Sequence, residues 1–281
     1  MARGAAEAVA QARGRVVRTG VNYLAQMDER PKFHAQDHSL DNLKLDANTV
    51  DIRDARDAGL TLEREGITLV PHRTAVKDFR DQETARSVYL KEVERLILDL
   101  SGAAQVVVMG AAGLRYAERS PLYATGVNSH PARFIHIDYT DVSAPSLLSA
   151  LPAGAAARPG QRVAGYNIWR VVSPPPQDVP LAVCDAGTVA PQDLVRGDAI
   201  FDVGDEPWWT FEAYLLRSNP AHRWWWYSDM RPDEALVFKS FDSDPGQPVR
   251  VPHTAFDDPD APADAPPRVS VEARAFALFD D

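Results

Sequence analysis

Cysteine is almost absent from this chain: Cys184 is the only one among 281 residues. A single thiol cannot form an internal disulfide, and it excludes thiolate-rich zinc and iron–sulfur sites. Hydrophobic residues make up 45% and charged residues 25%, as in ordinary globular proteins. We therefore expect one domain, 1–281, in which 1–104 forms N-terminal strands and a buttressing helix and 105–281 forms a catalytic core.

The sequence also lacks a long apolar run and an excess of basic residues. No stretch approaches the roughly 20 apolar residues that span a bilayer. Residues Met1–Arg18 are rich in Ala and Arg but have no continuous apolar segment of the kind found in secretory signals. The net charge of −10 disfavours nucleic acid as a partner. We expect a cytoplasmic protein with no nucleic-acid or membrane partner, and a homodimer remains open.

Short strand-like segments dominate the second part of the chain. The clearest helix is predicted over Phe79–Leu100, where apolar residues recur at helical spacing and Gly102 follows as a stop signal. About eight strand candidates run from Gln105 to the C-terminus, and Asp193–Asp198 is interpreted as a turn or short helix. Many short strands separated by Gly and Pro are typical of a sandwich or barrel. The predicted fold is mainly β with flanking helices, in the form of a double-stranded β-helix, the jelly-roll or cupin-like barrel.

Residues 133–140 carry His136 and Asp138 within a run of β-branched and aromatic residues. Side chains two apart on a strand leave the same face, so an imidazole and a carboxylate would lie side by side. That pair suits two adjacent positions of one metal ion. His253, near the end of the chain, is the candidate third ligand. The three residues would form the 2-His-1-carboxylate triad of non-haem iron(II) oxygenases, which leaves positions open for co-substrate and oxygen.

The last predicted strand adds basic residues. Arg268 and Arg274 are both even-numbered and share one face of that strand. An arginine beside the metal can hold a carboxylate in a bidentate fork, as the distal carboxylate of 2-oxoglutarate requires.

Simpler interpretations of the histidines stay open at this point. His136 could be a strand histidine paired with Asp138 and no metal. His34 and His38 are spaced four apart, but Pro31 and the polar surroundings favour a loop over a metal pair. His130 could line the same cavity as His136, although a structural role is favoured.

Seven segments between about residue 130 and the C-terminus resemble a known family. They are Ile135–Thr140, Tyr166–Arg170, Pro180–Asp185, Trp226–Met230, Asp233–Ser243, His253–Pro259 and Arg268–Arg274. In combination they resemble the CmcJ/NvfI/AsaB-type family of hydroxylases and desaturases, many of them associated with secondary metabolism. The N-terminal third matches only loosely, and Val171 stands where a proline is expected.

The resemblance implies an iron(II)/2-oxoglutarate-dependent oxygenase that acts on a small molecule, such as a secondary metabolite. It carries the metal-ligand roles onto His136, Asp138 and His253. Among the other matched residues, Arg170 is a candidate for a co-substrate or substrate carboxylate, and a structural ion pair explains it equally well. Tyr227 and Lys239 are candidate hydrogen-bond donors to 2-oxoglutarate or to the groups that fix the ligands. The choice between hydroxylation, desaturation, ring formation and peroxide chemistry is left open.

Two other functions fit the same residues. One is a non-oxidative accessory protein on the same barrel that supports a partner enzyme. The other is a zinc hydrolase, because two histidines and a carboxylate also suit zinc. Iron is favoured because no obvious general-base glutamate accompanies the ligands and because basic residues follow the last histidine.

Overall fold

The structure is a computed structural model that describes residues 14–123, 130–151, 157–203 and 206–280. These residues form fourteen strands in two sheets, with short helices outside them. Within those ranges, no helix has the length and apolar character needed to cross a membrane. The mainly β fold with flanking helices, predicted from the sequence, is confirmed.

The nine-stranded sheet has the order β1-β3-β11-β8-β13-β6-β10-β9-β2, and the five-stranded sheet has the order β4-β12-β7-β14-β5. Most neighbouring strands are antiparallel; β11 with β3 and β2 with β9 are parallel. Strands β1 to β4 join both sheets, so the N-terminal part of the chain completes the barrel. The strands are β1 Val16–Leu24, β2 Lys32–His34, β3 Leu45–Asp54, β4 Ile67–Pro71, β5 Gln105–Tyr116, β6 His136–Ile137, β7 Val163–Val171, β8 Leu181–Cys184, β9 Leu194–Val203, β10 Glu206–Leu216, β11 Trp224–Trp226, β12 Glu234–Asp242, β13 His253–Ala255 and β14 Val269–Leu278.

The predicted helix packs against the outside of the five-stranded sheet. It consists of α1 (Gln82–Thr84), a π-helical turn (Ala85–Tyr89) and α2 (Leu90–Ser101). The Asp81 carboxylate caps the first turn, and Gly102 ends the helix with a φ of 67°. Apolar side chains of this helix form a core with the outer faces of β7, β12 and β14. A second short helix, α3, spans Ser143–Ser149.

The two faces of β7 have different roles, although all nine of its residues are buried. Tyr166 and Ile168 pack with the helix on the outer face. On the inner face, Asn167 bonds to Asp138, and Trp169 lines a cavity between the sheets. This period of two decides which side chains of the five-stranded sheet reach the cavity.

One predicted element is wrong. Residues Asp193–Asp198 were expected to form a turn or short helix, but β9 begins at Leu194. The strand was missed because Arg196 is exposed and Gly197 has low strand propensity. Gly197 is required by close packing, because an added Cβ would lie 2.5 Å from Leu215 Cδ1 and 3.0 Å from the Pro31 carbonyl oxygen. With β9, ten strands follow residue 104, where about eight were expected.

Candidate functional site

His136, Asp138 and His253 converge at the centre of the nine-stranded sheet. Strands β13 and β6 are antiparallel, and His253 lies directly opposite His136. The two imidazole centroids are 4.3 Å apart. Asp138 follows β6, with Oδ1 3.6 Å from His136 Nε2. One ligand atom from each residue lies within 4.8 Å of the other two, so the three groups can hold one metal ion.

Backbone carbonyls orient both imidazoles. His136 Nδ1 lies 3.2 Å from the Phe134 carbonyl oxygen, and His253 Nδ1 lies 3.3 Å from the Val251 carbonyl oxygen. A carbonyl oxygen can only accept, so each Nδ1 carries the proton and donates it. Each Nε2 is therefore left with a lone pair for a metal, as expected of metal-binding histidines.

The Asp138 carboxylate is held through one oxygen. Arg274 Nε donates to Oδ2 at 2.6 Å, and Asn167 Nδ2 donates to the same oxygen at 2.5 Å. The other oxygen, Oδ1, faces His136. Asp138 therefore presents Oδ1 as a single ligand atom, while Oδ2 fixes the orientation of the carboxylate.

Further polar groups hold Arg274 and Asn167 in place. Glu272 accepts from Arg274 Nη2 and from Asn167 Nδ2, each at 2.9 Å. The Ser240 hydroxyl donates to Asn167 Oδ1, which fixes the amide so that its nitrogen faces the two carboxylates. Arg115 lies on the far side, with Nη2 3.4 Å from Glu272. These groups form a continuous buried network behind the candidate ligand.

The protonation states suit metal binding. Burial, followed by the charge of the nearby His253, lowers the pKa of His136 to about 4, so the imidazole is neutral at pH 7. Burial raises the pKa of Asp138, but Arg274 and the two histidines outweigh burial and hold it below the usual range. Burial raises the pKa of Glu272 as well, but Arg274, Arg115 and His253 together outweigh burial and lower it. A neutral histidine and an ionised carboxylate are the forms that bind a divalent cation.

A cavity opens directly from these groups between the two sheets. It encloses about 770 Å³ of empty volume, part of it open to solvent, and its lining includes all three candidate ligands. The two imidazole nitrogens and the Asp138 carboxylate in its lining are ligands that suit iron(II) or zinc, and they leave room for further ligands on the cavity side.

Arg268 also lines the cavity, and its guanidinium is buried without an ion-pair partner among the described residues. It is 1% exposed, and its Nε and Nη2 have no hydrogen-bond partner among the described residues. These two N–H groups form one bidentate edge of the guanidinium. The guanidinium carbon lies 5.7 Å from the centre of the Trp169 ring. Burial, with Arg133 nearby, lowers the pKa of Arg268 to about 10, so it stays charged at pH 7. An unpaired buried cation of this kind fits a carboxylate.

The other predicted co-substrate residues are placed differently. Arg274 lines the cavity, but its Nε and Nη2 are engaged by Asp138 and Glu272. The assignment of Arg170 to the cavity is corrected: it leaves the outer face of β7, donates to the carbonyl oxygens of His72 and Pro232, and lies over the Tyr89 ring.

The assignment of Tyr227 and Lys239 to the co-substrate site is likewise corrected, because neither side chain lines the cavity. Tyr227 is buried in the apolar cluster behind Trp169. Lys239 Nζ donates to Asp242 and Gln247, each at 3.1 Å. Both residues therefore have structural partners that explain their burial.

Sequence reasoning missed several residues that line the cavity or hold the candidate ligands in place. Glu272 lies two before Arg274 on β14, so the period of two could have placed it on the same face. Asn167 stands two before Trp169 on β7 in the same way. His130, for which a structural role was favoured, lines the cavity together with His38, whereas His34 pairs with Asp202.

Comparisons with known proteins agree with this geometry. A family model described as an oxidoreductase/YMDC permease-like domain matches residues 21–278. The hydroxylase/desaturase efuI of Hormonema carpetanum is 28% identical, over 94% of this chain and 96% of that protein. The Fe(II)/2-oxoglutarate-dependent dioxygenase nvfI of Aspergillus novofumigatus is 31% identical, over 81% of each chain.

A solved structure supports the same assignment. The iron and alpha-ketoglutarate-dependent endoperoxidase NvfI superposes with a TM-score of 0.81 at 26% identity, covering 95% of this chain and 99% of that one. The likeness confirms the jelly-roll fold predicted from the sequence. Over nearly its whole length, this chain belongs to the CmcJ/NvfI/AsaB-type family of hydroxylases, desaturases and Fe(II)/2-oxoglutarate-dependent dioxygenases.

Proposed function

We propose that this protein is an iron(II)/2-oxoglutarate-dependent oxygenase in which His136, Asp138 and His253 bind the iron. Arg268 binds the distal carboxylate of 2-oxoglutarate. The substrate is a small molecule, which enters the cavity between the sheets. The names of the relatives and the ligand geometry support the metal and the co-substrate.

The observation that carries the proposal is the unpaired cation next to the ligand set. Arg268 and the three candidate ligands line one cavity, and Nε and Nη2 of Arg268 have no partner among the described residues. Leaving buried charged donors unpaired costs several kcal/mol, on the order of 3. A dicarboxylate that reaches from the metal to Arg268 removes this cost.

Each residue has a separate task. The Nε2 atoms of His136 and His253 and Oδ1 of Asp138 would hold the metal, with the cavity available for co-substrate and oxygen. Arg274 and Asn167 keep Oδ2 of Asp138 occupied and prevent the carboxylate from rotating. When bound, iron(II) with 2-oxoglutarate supplies an oxidant from O₂, with succinate and CO₂ as by-products. The apolar walls exclude water from the place where the substrate is oxidised.

The test combines metal analysis with a co-substrate assay. Protein purified under argon should contain iron or take up one Fe(II) per chain, and under air it should convert 2-oxoglutarate to succinate. Replacement of His136 or Asp138 by Ala should abolish iron retention and succinate formation together. Zinc retention with ester or amide hydrolysis would instead indicate a hydrolase, and no metal with no succinate would indicate an accessory protein. The cytoplasmic location expected from the sequence stays a prediction, and the question of a homodimer stays open.

A further inference from the structure

One wall of the cavity, built by β2, β9, β10 and the residues before β6, is aromatic. Phe33 and Phe134 have ring centroids 4.9 Å apart, and Phe201 stacks on Phe211 at 5.8 Å. All four rings line the cavity, and the Phe134 ring lies 5.4 Å from the ring of His136. Aromatic side chains offer large apolar surfaces that pack well against other rings. The wall next to the candidate metal ligands therefore suits an apolar, ring-bearing molecule.

Apart from Arg268, the charged side chains that line the cavity compensate one another. Arg274 pairs with Asp138 at 2.6 Å and with Glu272 at 2.9 Å, and Arg115 contacts Glu272 at 3.4 Å. They are two cations and two carboxylates, and Arg268 is assigned to the co-substrate. Among the described lining residues, no further charge is left for an ionic substrate. Burying an unpaired ion is costly, so an uncharged substrate fits this cavity.

Two imidazoles, those of His38 and His130, also line the cavity, together with the Thr254 hydroxyl, which donates to the carbonyl oxygens of Ala132 and Ala255. His38 Nδ1 lies 3.1 Å from Asp41 Oδ2, which accepts the Nδ1 proton, and in the tautomer with its proton on Nδ1 the Nε2 atom is an acceptor. His130 Nδ1 lies 3.1 Å from the Tyr123 hydroxyl. Burial, followed by His38, lowers the pKa of His130, so it is neutral at pH 7. When Tyr123 donates to Nδ1 of this neutral ring, Nε2 keeps a proton and is a donor.

The imidazoles of His38 and His130 contact each other edge to face in the cavity lining. Their ring centroids are 5.5 Å apart, and the His38 ring meets the Phe134 ring edge-on at 5.9 Å. The His136 ring lies 5.4 Å from that same Phe134 ring, so Phe134 connects the imidazole pair with the ligand set. Within the part of the chain that the structure describes, neither Nε2 has a hydrogen-bond partner. An adjacent donor and acceptor match a hydroxyl group, which both accepts and donates.

We propose that the substrate is an uncharged, ring-bearing molecule with a hydroxyl group that accepts from His130 Nε2 and donates to His38 Nε2. This inference rests on the proposed function, because it treats the cavity at the ligand set as the substrate chamber. His38 and His130 are then specificity-determining residues. Their hydrogen bonds determine which ring-bearing molecules bind against the aromatic wall that contains Phe134, and in which orientation.

The experiment compares probes with one skeleton: tetralin, 2-tetralol and tetralin-2-carboxylate. The full chain is loaded with Zn(II), which the same ligand set accepts and which does not oxidise the probes, and with saturating 2-oxoglutarate to occupy Arg268. Affinities are measured by ligand-observed NMR titration. We expect 2-tetralol to bind about 10-fold more tightly than tetralin, the size of effect expected from two hydrogen bonds, and the carboxylate to bind most weakly. Equal affinities for 2-tetralol and tetralin, or tightest binding of the carboxylate, would overturn the inference.

Variants locate the effect. His38→Phe and His130→Phe keep a ring in place and should each reduce the preference for 2-tetralol to about 3-fold or less, whereas His130→Gln keeps a donor and should retain more of it. His34→Gln, at a histidine paired with Asp202 outside the lining, should leave the preference unchanged. A preference that survives in both Phe variants contradicts the proposal, and His38→Phe decides alone if His130→Phe does not fold. Failure to bind zinc counts against the proposed function instead, and the same titration on metal-free protein still tests the inference.

Discussion

Arg274 on β14 donates from Nε to Oδ2 of Asp138 at 2.6 Å, and this contact joins the two sheets across the cavity. Asp138 follows β6 of the nine-stranded sheet, while β14 belongs to the five-stranded sheet. The orientation of the candidate metal ligand thus depends on a residue of the opposite sheet. The same contact explains why Arg274 is not available to the co-substrate.

Arg274→Lys should weaken iron binding. A lysine keeps the charge but lacks the rigid planar guanidinium that directs Nε to Asp138 and Nη2 to Glu272, so Asp138 loses its fixed orientation. Loss of a partner behind a metal ligand typically costs 10- to 100-fold in metal affinity, and we expect a loss of about that size. Anaerobic Fe(II) titration measures it. Unchanged iron affinity together with a raised KM for 2-oxoglutarate would return Arg274 to the role of carboxylate clamp.

Arg268→Met should raise the KM for 2-oxoglutarate and leave iron affinity nearly unchanged. Hydrogen bonds to charged groups contribute about 1.5–3 kcal/mol, which corresponds to a rise of about 10- to 150-fold. Succinate release measured against 2-oxoglutarate concentration tests this. Arg268→Lys keeps the charge but loses the bidentate edge, so its KM for 2-oxoglutarate should lie between those of wild type and Arg268→Met. A wild-type KM in Arg268→Met is incompatible with the proposed co-substrate site.

Arg170→Met is the matched control, because Arg170 is as deeply buried as Arg268 but faces the helix. It should destabilise the fold by about 2–4 kcal/mol, since the carbonyl oxygens of His72 and Pro232 lose their donor. Denaturant unfolding measures the loss. The KM for 2-oxoglutarate of the remaining folded protein should equal that of wild type, and a raised KM would instead place Arg170 at the co-substrate.

The pair Arg56–Glu234 should contribute to stability in a pH-dependent way. Burial raises the pKa of Glu234, but it is outweighed by the two hydrogen bonds from Arg56, at 2.6 and 2.9 Å, the backbone N–H of Arg231 and the charges of both arginines, which together lower the pKa. A carboxyl group whose pKa is lower in the folded state stabilises the fold above its unfolded pKa of about 4.3, and the contribution is lost as pH falls through the folded value. Glu234→Gln should therefore be less stable than wild type at pH 7, with the difference shrinking below about pH 4. Urea unfolding at a series of pH values tests this, and a pH-independent difference would contradict it.

The metal-ligand set could be predicted because its signal is local. His136 and Asp138 are two residues apart, and the family match extends the assignment to His253. The buttressing helix was predictable for the same reason, since its apolar stripe repeats within a few turns.

The rest of the site depends on contacts that the sequence does not encode locally. Strand β7 is buried on both faces, so its pattern did not distinguish Trp169, which faces the cavity, from Arg170, which faces the helix. Phe33 reaches the cavity only because β2 pairs in parallel with β9, far along the chain. Strand β9 was itself missed, so no argument from the sequence could bring Phe33 and Phe201 to one wall.

Phe134 contributes to the site in two independent ways. Its main-chain oxygen accepts from the imidazole of His136, and its ring forms part of the chamber wall. Every residue type carries the same main-chain oxygen, so exchanging the side chain at position 134 reshapes the chamber and leaves the orientation of His136 intact. The shape of the chamber can therefore diverge, in evolution or in the laboratory, at a residue beside a candidate metal ligand without disturbing the orientation of that ligand.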